Sequence, residues 1–231
     1  MGKVLHLPGI FFLFSAFVLL LLVSISLPYL TVFDFARVHF NEGGPISIGS
    51  DTNAVSQLRF GIWAGCWYEA SSGHRACSAA GYAYNTTMYA GSTRADSITI
   101  GASWTRGLAI HPVAAGMSLI ALLLSLSAHI TVRLLAALAA FLASTITLIA
   151  FATDIALFAY VKEKASKLDG TTTTTDTAPA FWMTFAAMLL LWLAGGMMCI
   201  GRRRDRMSDA TNYPMASSKV SKSWRDRFTK A

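Results

Sequence analysis

Four long stretches without charge place the strongest constraint on this chain. They lie between Lys3 and Asp34, between Arg106 and Arg133, between Arg133 and Lys162 with Asp154 as the one acid, and between Asp176 and Arg202. Each stretch holds the roughly 20 apolar residues that a helix needs to cross about 30 Å of hydrocarbon. Because lipid offers the backbone no hydrogen-bond partner, each must be a helix. The sequence therefore predicts a membrane α-helical fold, a four-transmembrane-helix bundle.

The same charge gaps give the boundaries of the segments. We predict transmembrane helices at residues 8–30, 106–130, 134–161 and 179–201. They separate a short N-terminus (1–7), a long loop (31–105), a turn (131–133), a second loop (162–178) and a C-terminal tail (202–231). A cleaved signal peptide is the alternative for the first helix. Its apolar run is longer than the usual 7–15 residues and no A-x-A cleavage site follows, which favours a retained anchor.

Charge is distributed unevenly between the two sides of the predicted membrane. The side with both termini holds eleven basic and three acidic residues, whereas the opposite side holds eight of each. Cytosolic segments of membrane proteins carry the excess of Lys and Arg. The sequence therefore predicts cytosolic termini and places residues 31–105 and 162–178 outside the cell.

The basic residues nearest the membrane explain the formal net charge of +7. Four of them follow the last predicted helix directly: Arg202, Arg203, Arg204 and Arg206. Each base near an anionic leaflet contributes about 1 kcal/mol of attraction. We therefore expect this cluster to bind anionic cytosolic lipids and expect no nucleic-acid partner. Cys199, just before the cluster, is a candidate palmitoylation site.

The long outer loop is rich in aromatic and β-branched residues. Strand-like runs at Thr31–Phe40, Leu58–Trp63 and Gly81–Tyr84 surround a turn-rich segment, Asn41–Asn53. This pattern predicts a small extracellular antiparallel β-sheet. In the second loop, the Thr171–Thr175 run has low complexity, and we expect a flexible loop there.

Two features of the long loop suit an oxidising, exofacial compartment. Ten residues separate Cys66 from Cys77, a spacing that suits a disulfide between neighbouring strands, with two unpaired thiols as the alternative. Asn85-Thr86-Thr87 is an N-glycosylation sequon, although such short motifs also arise by chance.

The segment Gly61-Ile62-Trp63-Ala64-Gly65-Cys66, followed by Cys77, is the most specific motif in the chain. It resembles the G-x-W-x-x-C…C signature of the claudin superfamily, whose span order also has a long first and a short second outer loop. The resemblance assigns Gly61, Trp63, Cys66 and Cys77 as signature residues. It implies a claudin-like fold.

A narrower resemblance covers residues 5–206. The segments 151–161, 179–184 and 199–205 are similar to the third span, the fourth span and its exit in the fungal PalI family, which comprises claudin-like pH-response regulators. This resemblance implies a multi-pass protein of a fungal plasma membrane. The best-known member assists a seven-span alkaline-pH sensor, and relatives mark eisosome-type membrane domains. Members of the pH-response type carry a long cytosolic tail, whereas this chain ends about 30 residues after the last span.

Polar residues within the predicted spans are few. Asp154 is the one acid, and it is either a proton- or ion-coupled site or a hydrogen-bonding residue that fixes helix packing. With no second intramembrane charge in the sequence, packing is the favoured interpretation. His111 and His129 flank the second span, as interfacial histidines often do. The small residues Ala136, Ala140 and Ser144 recur every four positions and suit a helix-packing seam.

The sequence contains no recognisable catalytic motif, cofactor motif or metal-ligand spacing. We therefore expect a non-enzymatic membrane accessory or scaffold protein without a cofactor. By resemblance its partner is a larger membrane protein, a seven-span pH sensor, and self-association is the alternative. A structural organiser of plasma-membrane domains is the second functional hypothesis. A proton- or ion-coupled conduit through Asp154 is the third.

Overall fold

The structure is a computed structural model that describes residues 2–43, 46–49, 53–91, 96–127, 129–168 and 171–212. Its helices are α1 (Gly2–Ser24), α2 (Ala102–Thr105), α3 (Ile110–Ser125), α4 (Ile130–Ala165) and α5 (Pro179–Asn212). A 3₁₀ turn, Arg106–Ala109, joins α2 to α3. Within the described residues, four apolar spans are long enough to cross a membrane: Leu7–Ser24, Ala102–Ser125, Thr131–Ala165 and Pro179–Gly201. The prediction of a four-helix multi-pass membrane protein is confirmed.

Small side chains hold the four spans together. α1 packs against α3 and α5, and α4 packs against the same two helices. Ala136, Ala140 and Ser144 are fully buried, whereas Leu138 and Leu142 on the same helix are more than half exposed. Between lipid-solvated helices, small residues allow close backbone approach while large ones remain in contact with lipid. The predicted seam therefore lies inside the bundle.

In the part of the chain that the structure describes, eight antiparallel strands lie at the end of the bundle opposite to the start of α1 and the end of α5. They are β1 (Ala36–Gly43), β2 (Ile46–Ile48), β3 (Val55–Phe60), β4 (Gly65–Glu69), β5 (Arg75–Cys77), β6 (Thr86–Ala90), β7 (Asp96–Ile100) and β8 (Thr171–Thr177). One sheet has the order β5-β4-β3-β1-β8 and the other the order β2-β6-β7. Buried Leu58, Phe60, Met88 and Ile100 share one core with Leu157 of α4. The sheets therefore rest directly on the ends of the helices.

The second loop contributes a strand that the sequence did not predict. The expectation of a flexible loop at Thr171–Thr175 is wrong, because Thr171–Thr177 pairs with β1 along its whole length. Threonine is β-branched and suits an extended edge strand, so the low complexity of the run does not prevent pairing. A second expectation is also wrong, since Gly81–Tyr84 is a loop rather than a strand.

The predicted disulfide is confirmed. Cys66 of β4 and Cys77 of β5 are direct partners in the antiparallel register, with their Cα atoms 4.0 Å apart. The bridge fastens the three-residue strand β5 to the edge of the larger sheet. In the chain-entropy model, closing a loop of this length stabilises the fold by about 3 kcal/mol.

The signature residues fasten the sheets to the end of the first span. α1 ends at Ser24 rather than at residue 30, and Pro28, which has no N–H, cannot extend it. The Trp63 indole donates to the Ser24 carbonyl oxygen at 2.9 Å, and the Ile62 amide donates to the Ser26 hydroxyl at 2.9 Å. The last carbonyls of a helix have no partner within it. The loop after β3 supplies one of the missing donors.

The contact between this loop and the end of α1 also requires a glycine at position 61. A Cβ at this position would overlap the Leu27 Cβ and lie 3.0 Å from the Leu27 amide nitrogen. The Tyr84 hydroxyl closes the loop from the other side by donating to the Gly61 carbonyl oxygen at 2.8 Å. No larger residue fits at position 61 unless the loop moves away from α1.

We expect Gly61→Ala to lower the free energy of unfolding by about 1–3 kcal/mol, the usual cost of overpacking a close contact. Thermal unfolding of the purified protein in detergent, followed by intrinsic fluorescence, measures the effect. Gly81→Ala is the matched control, because a Cβ there meets nothing within 4 Å. Equal stability of the two variants would contradict the role assigned to Gly61.

Candidate functional site

A buried histidine–aspartate pair lies at the end of the helix bundle that carries the sheets. His111 is the second residue of α3 and Asp154 belongs to α4. Their Nε2 and Oδ2 atoms are 3.2 Å apart, and both side chains have 0% exposure. α4 has 36 residues, about 54 Å of helix, so it extends beyond the roughly 30 Å of hydrocarbon, and Leu157, one turn after Asp154, already packs in the core of the sheets. The pair therefore lies at the end of the spans where the helices meet the sheets.

This pair overturns one sequence-based expectation. His111 lies at the start of α3, but Asp154 is not without a titratable partner. The two residues are 43 positions apart and belong to different helices. No spacing rule connects positions on separate helices, so sequence reasoning missed the contact. The signal available in the sequence was that both residues lie at a similar distance from the same end of their predicted spans.

Hydrogen-bond geometry determines where the protons of the pair lie. His111 Nδ1 is 2.8 Å from the Leu108 carbonyl oxygen, which can only accept, so Nδ1 carries a hydrogen. A neutral imidazole with that hydrogen can only accept at Nε2. A hydrogen bond between Nε2 and Asp154 Oδ2 therefore requires one further proton, on either His111 or Asp154. In both arrangements the pair shares that proton and has no net charge.

The second carboxylate oxygen of Asp154 is not satisfied. Oδ1 is buried and has no hydrogen-bond partner among the described residues. The Thr184 hydroxyl of α5 lies near the carboxylate but donates to the Ala180 carbonyl oxygen at 3.0 Å. A buried polar atom without a partner costs about 1–3 kcal/mol. The shared proton with His111 is therefore the main interaction that stabilises Asp154 in this environment.

Phe35 connects the pair to the sheets. Its ring lies 4.9 Å from the His111 ring at an interplanar angle of 58°. The Phe35 amide donates to the Phe60 carbonyl oxygen at 2.8 Å, and its carbonyl accepts from Ala178 at 3.1 Å. Phe35 therefore touches His111 while it is bonded both to the last residue of β3 and to the residue before α5. Phe35 is therefore one contact between the pair and the larger sheet.

Next to Phe35, on the side of the sheets, Asp34 forms an ion pair with Arg37. Asp34 is fully buried and accepts two bonds from Arg37, Nε to Oδ2 at 2.6 Å and Nη2 to Oδ1 at 2.8 Å. The bidentate hydrogen bond raises the pKa of the Arg37 guanidinium above its ordinary value. The Asp34 carbonyl also accepts from the Ala180 amide at 3.0 Å. These bonds hold the backbone next to Phe35 in place.

The other predicted site residues lie elsewhere. Asn85 is exposed immediately before β6, and Cys199 is an exposed free thiol near the end of the last span. Arg202, Arg203, Arg204 and Arg206 fall within the backbone of α5, but their side chains lie outside the described part of the structure. Residues 213–231 of the basic tail also lie outside it.

Comparison with known proteins relates the chain to a described family. A family model described as the SUR7/PalI family matches residues 5–194. The match covers most of the chain, including all the strands, the signature motif and both residues of the buried pair. A search of curated proteins found no match.

The geometry predicts energetic coupling between His111 and Asp154. We expect the single variants His111→Phe and Asp154→Leu each to be destabilised and the double variant to lose less than their sum. Interhelical polar pairs in membranes average about 0.6 kcal/mol of coupling and reach about 1.7, and the full burial of this pair favours the upper half of that range. Denaturation of the four proteins in mixed micelles completes the cycle. Strictly additive losses would contradict a direct interaction.

Proposed function

The chain belongs to the SUR7/PalI family, and we propose that it is a non-enzymatic accessory protein of an ambient-pH-sensing complex in a fungal plasma membrane. The family is claudin-like and is not a known enzyme family. Membership supports a membrane accessory role in general, and the pH-related role is our proposal. The observation that carries it is the buried contact between His111 and Asp154, whose hydrogen bond requires a titratable proton.

We propose an orientation with the sheets outside the cell and both termini in the cytosol. The Cys66–Cys77 bridge supports an oxidising environment for the sheets, since disulfides persist outside the cytosol. The basic residues after the last span support a cytosolic C-terminus, where they would contact anionic lipid. In this orientation the buried pair lies directly beneath the part of the protein that meets the external medium.

The shared proton gives the pair a direction of response to pH. Loss of that proton leaves a net negative charge buried between the helices, so it requires an alkaline medium. When the pair keeps its proton, Nε2 and Oδ2 attract each other. When the medium becomes alkaline and the proton leaves, a lone pair and a carboxylate charge face each other across 3.2 Å. The acid form therefore holds α3 and α4 together, and the alkaline form releases that contact.

The surroundings leave this response undisturbed by other charges. From α5, Thr184 lies beside the carboxylate, and its hydroxyl does not titrate. From the sheet side, the neighbouring Asp34 and Arg37 neutralise each other. From α1, Val23 belongs to the same core and carries no charge. Among the described residues that pack around the pair, protonation is therefore decided by His111 and Asp154 themselves.

Asp154→Asn tests the role of the pair in cells. The amide of Asn can donate permanently to His111 Nε2, so we expect normal folding and surface abundance with loss of the alkaline-pH response. A reporter of that response, compared between acidic and alkaline medium, is the measurement. His129→Gln, at an exposed histidine before α4, is the matched control and should respond like the wild type. An unchanged response in Asp154→Asn would leave the pair with a packing role only.

The partner is tested separately, by affinity purification of the full-length protein from native membranes. We expect recovery of a larger membrane protein, of the seven-span sensor type that the family resemblance indicates. Recovery of eisosome scaffolds or of copies of the chain alone would instead support an organiser of membrane domains. Proton or ion flux through the purified protein in liposomes would support the conduit hypothesis.

A further inference from the structure

Each of the four spans has an aromatic side chain at the end that meets the sheets. They are Tyr29 just after α1, Trp104 of α2, Tyr160 of α4 and Trp182 of α5. Tyr29 and Trp182 are more than half exposed, Trp104 is 38% exposed, and Tyr160 is partly buried. Tyrosine and tryptophan collect where hydrocarbon meets lipid headgroups. These four residues therefore mark the level at which the spans leave the hydrocarbon on the sheet side.

The exposed residues above and below these aromatics support the same level. On α4, Ile155 is the last large aliphatic residue that is exposed, and Lys162 is the first exposed charge after it. On the second span, Arg106 is exposed and precedes Val113, the first exposed large aliphatic residue. The hydrocarbon therefore ends between Ile155 and Lys162 on one helix and between Val113 and Arg106 on the other.

Lys164 and Arg106 each lie over a tyrosine ring at this level. The Lys164 ammonium is 5.6 Å from the centroid of the Tyr160 ring, which stacks on the indole of Trp104 with the centroids 4.0 Å apart. The Arg106 guanidinium carbon is 5.8 Å from the centroid of the Tyr82 ring. A cation within about 6 Å of a ring centroid is attracted by the electrons of the ring face. Both positive charges are therefore held beside aromatic rings.

Tyr82 belongs to a loop between strands but lies at the level of the span ends. The Gly81 amide donates to the Trp63 carbonyl oxygen at 2.9 Å, and the Trp63 indole in turn donates to the end of α1. The Thr105 hydroxyl, at the start of the second span, donates to the Tyr84 carbonyl oxygen at 2.6 Å. Because 62% of its surface is exposed, Tyr82 can contact lipid beneath the sheets.

The two bases have no acidic partner at this level. Among the described residues, no carboxylate lies within ion-pair distance of Arg106 or Lys164. The acids of the sheet side that form ion pairs do so with other residues: Asp34 with Arg37, Asp176 with His39, and Glu163 with Lys167. An unpaired base near a membrane surface attracts anionic lipid, and a phosphodiester accepts charge-assisted hydrogen bonds from either cation. The sheet side is thus neutral in total but positive where it meets the membrane.

We propose that Arg106 and Lys164 bind the phosphodiester groups of anionic lipids in the leaflet next to the sheets. The tyrosine beside each base contacts the apolar part of the same lipid, just below its headgroup. A lipid is favoured over a soluble anion because both sites are continuous with the lipid-exposed surface of the spans, through Val113 and Ile155. These two sites lie at the opposite end of the bundle from the arginine cluster that follows the last span. They hold the sheets against the membrane surface whether or not the buried pair responds to pH.

Site-resolved photolabelling of the full-length protein in phosphatidylcholine vesicles tests this binding. The vesicles contain a phosphatidylglycerol or a phosphatidylcholine analogue with a photoreactive headgroup, and mass spectrometry identifies the labelled peptides. The peptides that contain Arg106 and Lys164 should reach half-labelling at about five-fold less phosphatidylglycerol than phosphatidylcholine, the factor that corresponds to about 1 kcal/mol per base. Because labels are assigned to peptides, lipid bound by the arginine cluster after the last span does not contribute. Equal labelling by both analogues would overturn the proposal.

Two double variants with the same loss of charge separate these bases from general attraction. In Arg106→Gln/Lys164→Gln the preference for phosphatidylglycerol should disappear from both peptides. In Arg75→Gln/Lys162→Gln, which replaces two other exposed bases of the sheet side, the preference should persist. A preference that survives in the first variant, or that is lost equally in both, would overturn the proposal. Thermal unfolding checks that both variants are folded, and the comparison of the two analogues on the unmodified protein needs no variant.

Two further measurements identify the ligand and the role of the ring. Excess inorganic phosphate should leave the labelling unchanged, and displacement of the lipid by phosphate would instead assign the sites to a soluble anion. Tyr82→Leu should lower the preference at the Arg106 peptide alone, whereas Tyr82→Phe keeps a ring and should retain it. An unchanged preference in Tyr82→Leu would overturn the role of the ring. None of these variants alters His111 or Asp154, so the pH-response experiment remains an independent test of the buried pair.

Discussion

The hydrogen-bonded contact between the Gly61–Trp63 loop and the end of α1 is the interaction on which the sheet domain depends. A span that leaves the membrane presents carbonyl oxygens that lack partners within the helix. The Trp63 indole supplies one donor, and Gly61 allows the loop to approach Leu27 closely enough for the bond to form. Tyr84 continues the connection, because its hydroxyl bonds to Gly61 while its carbonyl accepts from Thr105 at 2.6 Å. These bonds link the end of the first span to the start of the second, and burial at their centre raises the pKa of the Tyr84 phenol.

Local chemistry made part of this architecture predictable. A transmembrane span is a property of one continuous stretch, so charge gaps were sufficient to locate four of them. The disulfide followed from two cysteines close together in the long outer loop. By contrast, β8 pairs with β1 across about 130–140 residues, and His111 meets Asp154 across 43. Hydropathy describes the environment of a residue and not the identity of its neighbour. For that reason, hydropathy could not predict the contact between His111 and Asp154.

The chemistry of the buried pair is difficult to explain by packing alone. Apolar residues of similar volume usually pack as well as a buried ion pair and avoid its desolvation cost. Here one carboxylate oxygen also lacks a partner among the described residues, so the aspartate is incompletely compensated. An asparagine at the same position would hydrogen-bond to His111 without a titratable proton. What an aspartate adds is dependence of the contact on that proton, and Phe35 lies where the resulting change would reach the sheets.

Coupling from the pair to the outer surface requires that the sheets move together. Phe35 is bonded to β3 of the larger sheet, and the smaller sheet shares no strand with it. The two sheets meet in the core around Phe60 and Met88. A displacement of Phe35 would therefore act on the larger sheet first and reach the smaller sheet through the core that Phe60 and Met88 share, because close-packed groups transmit displacement.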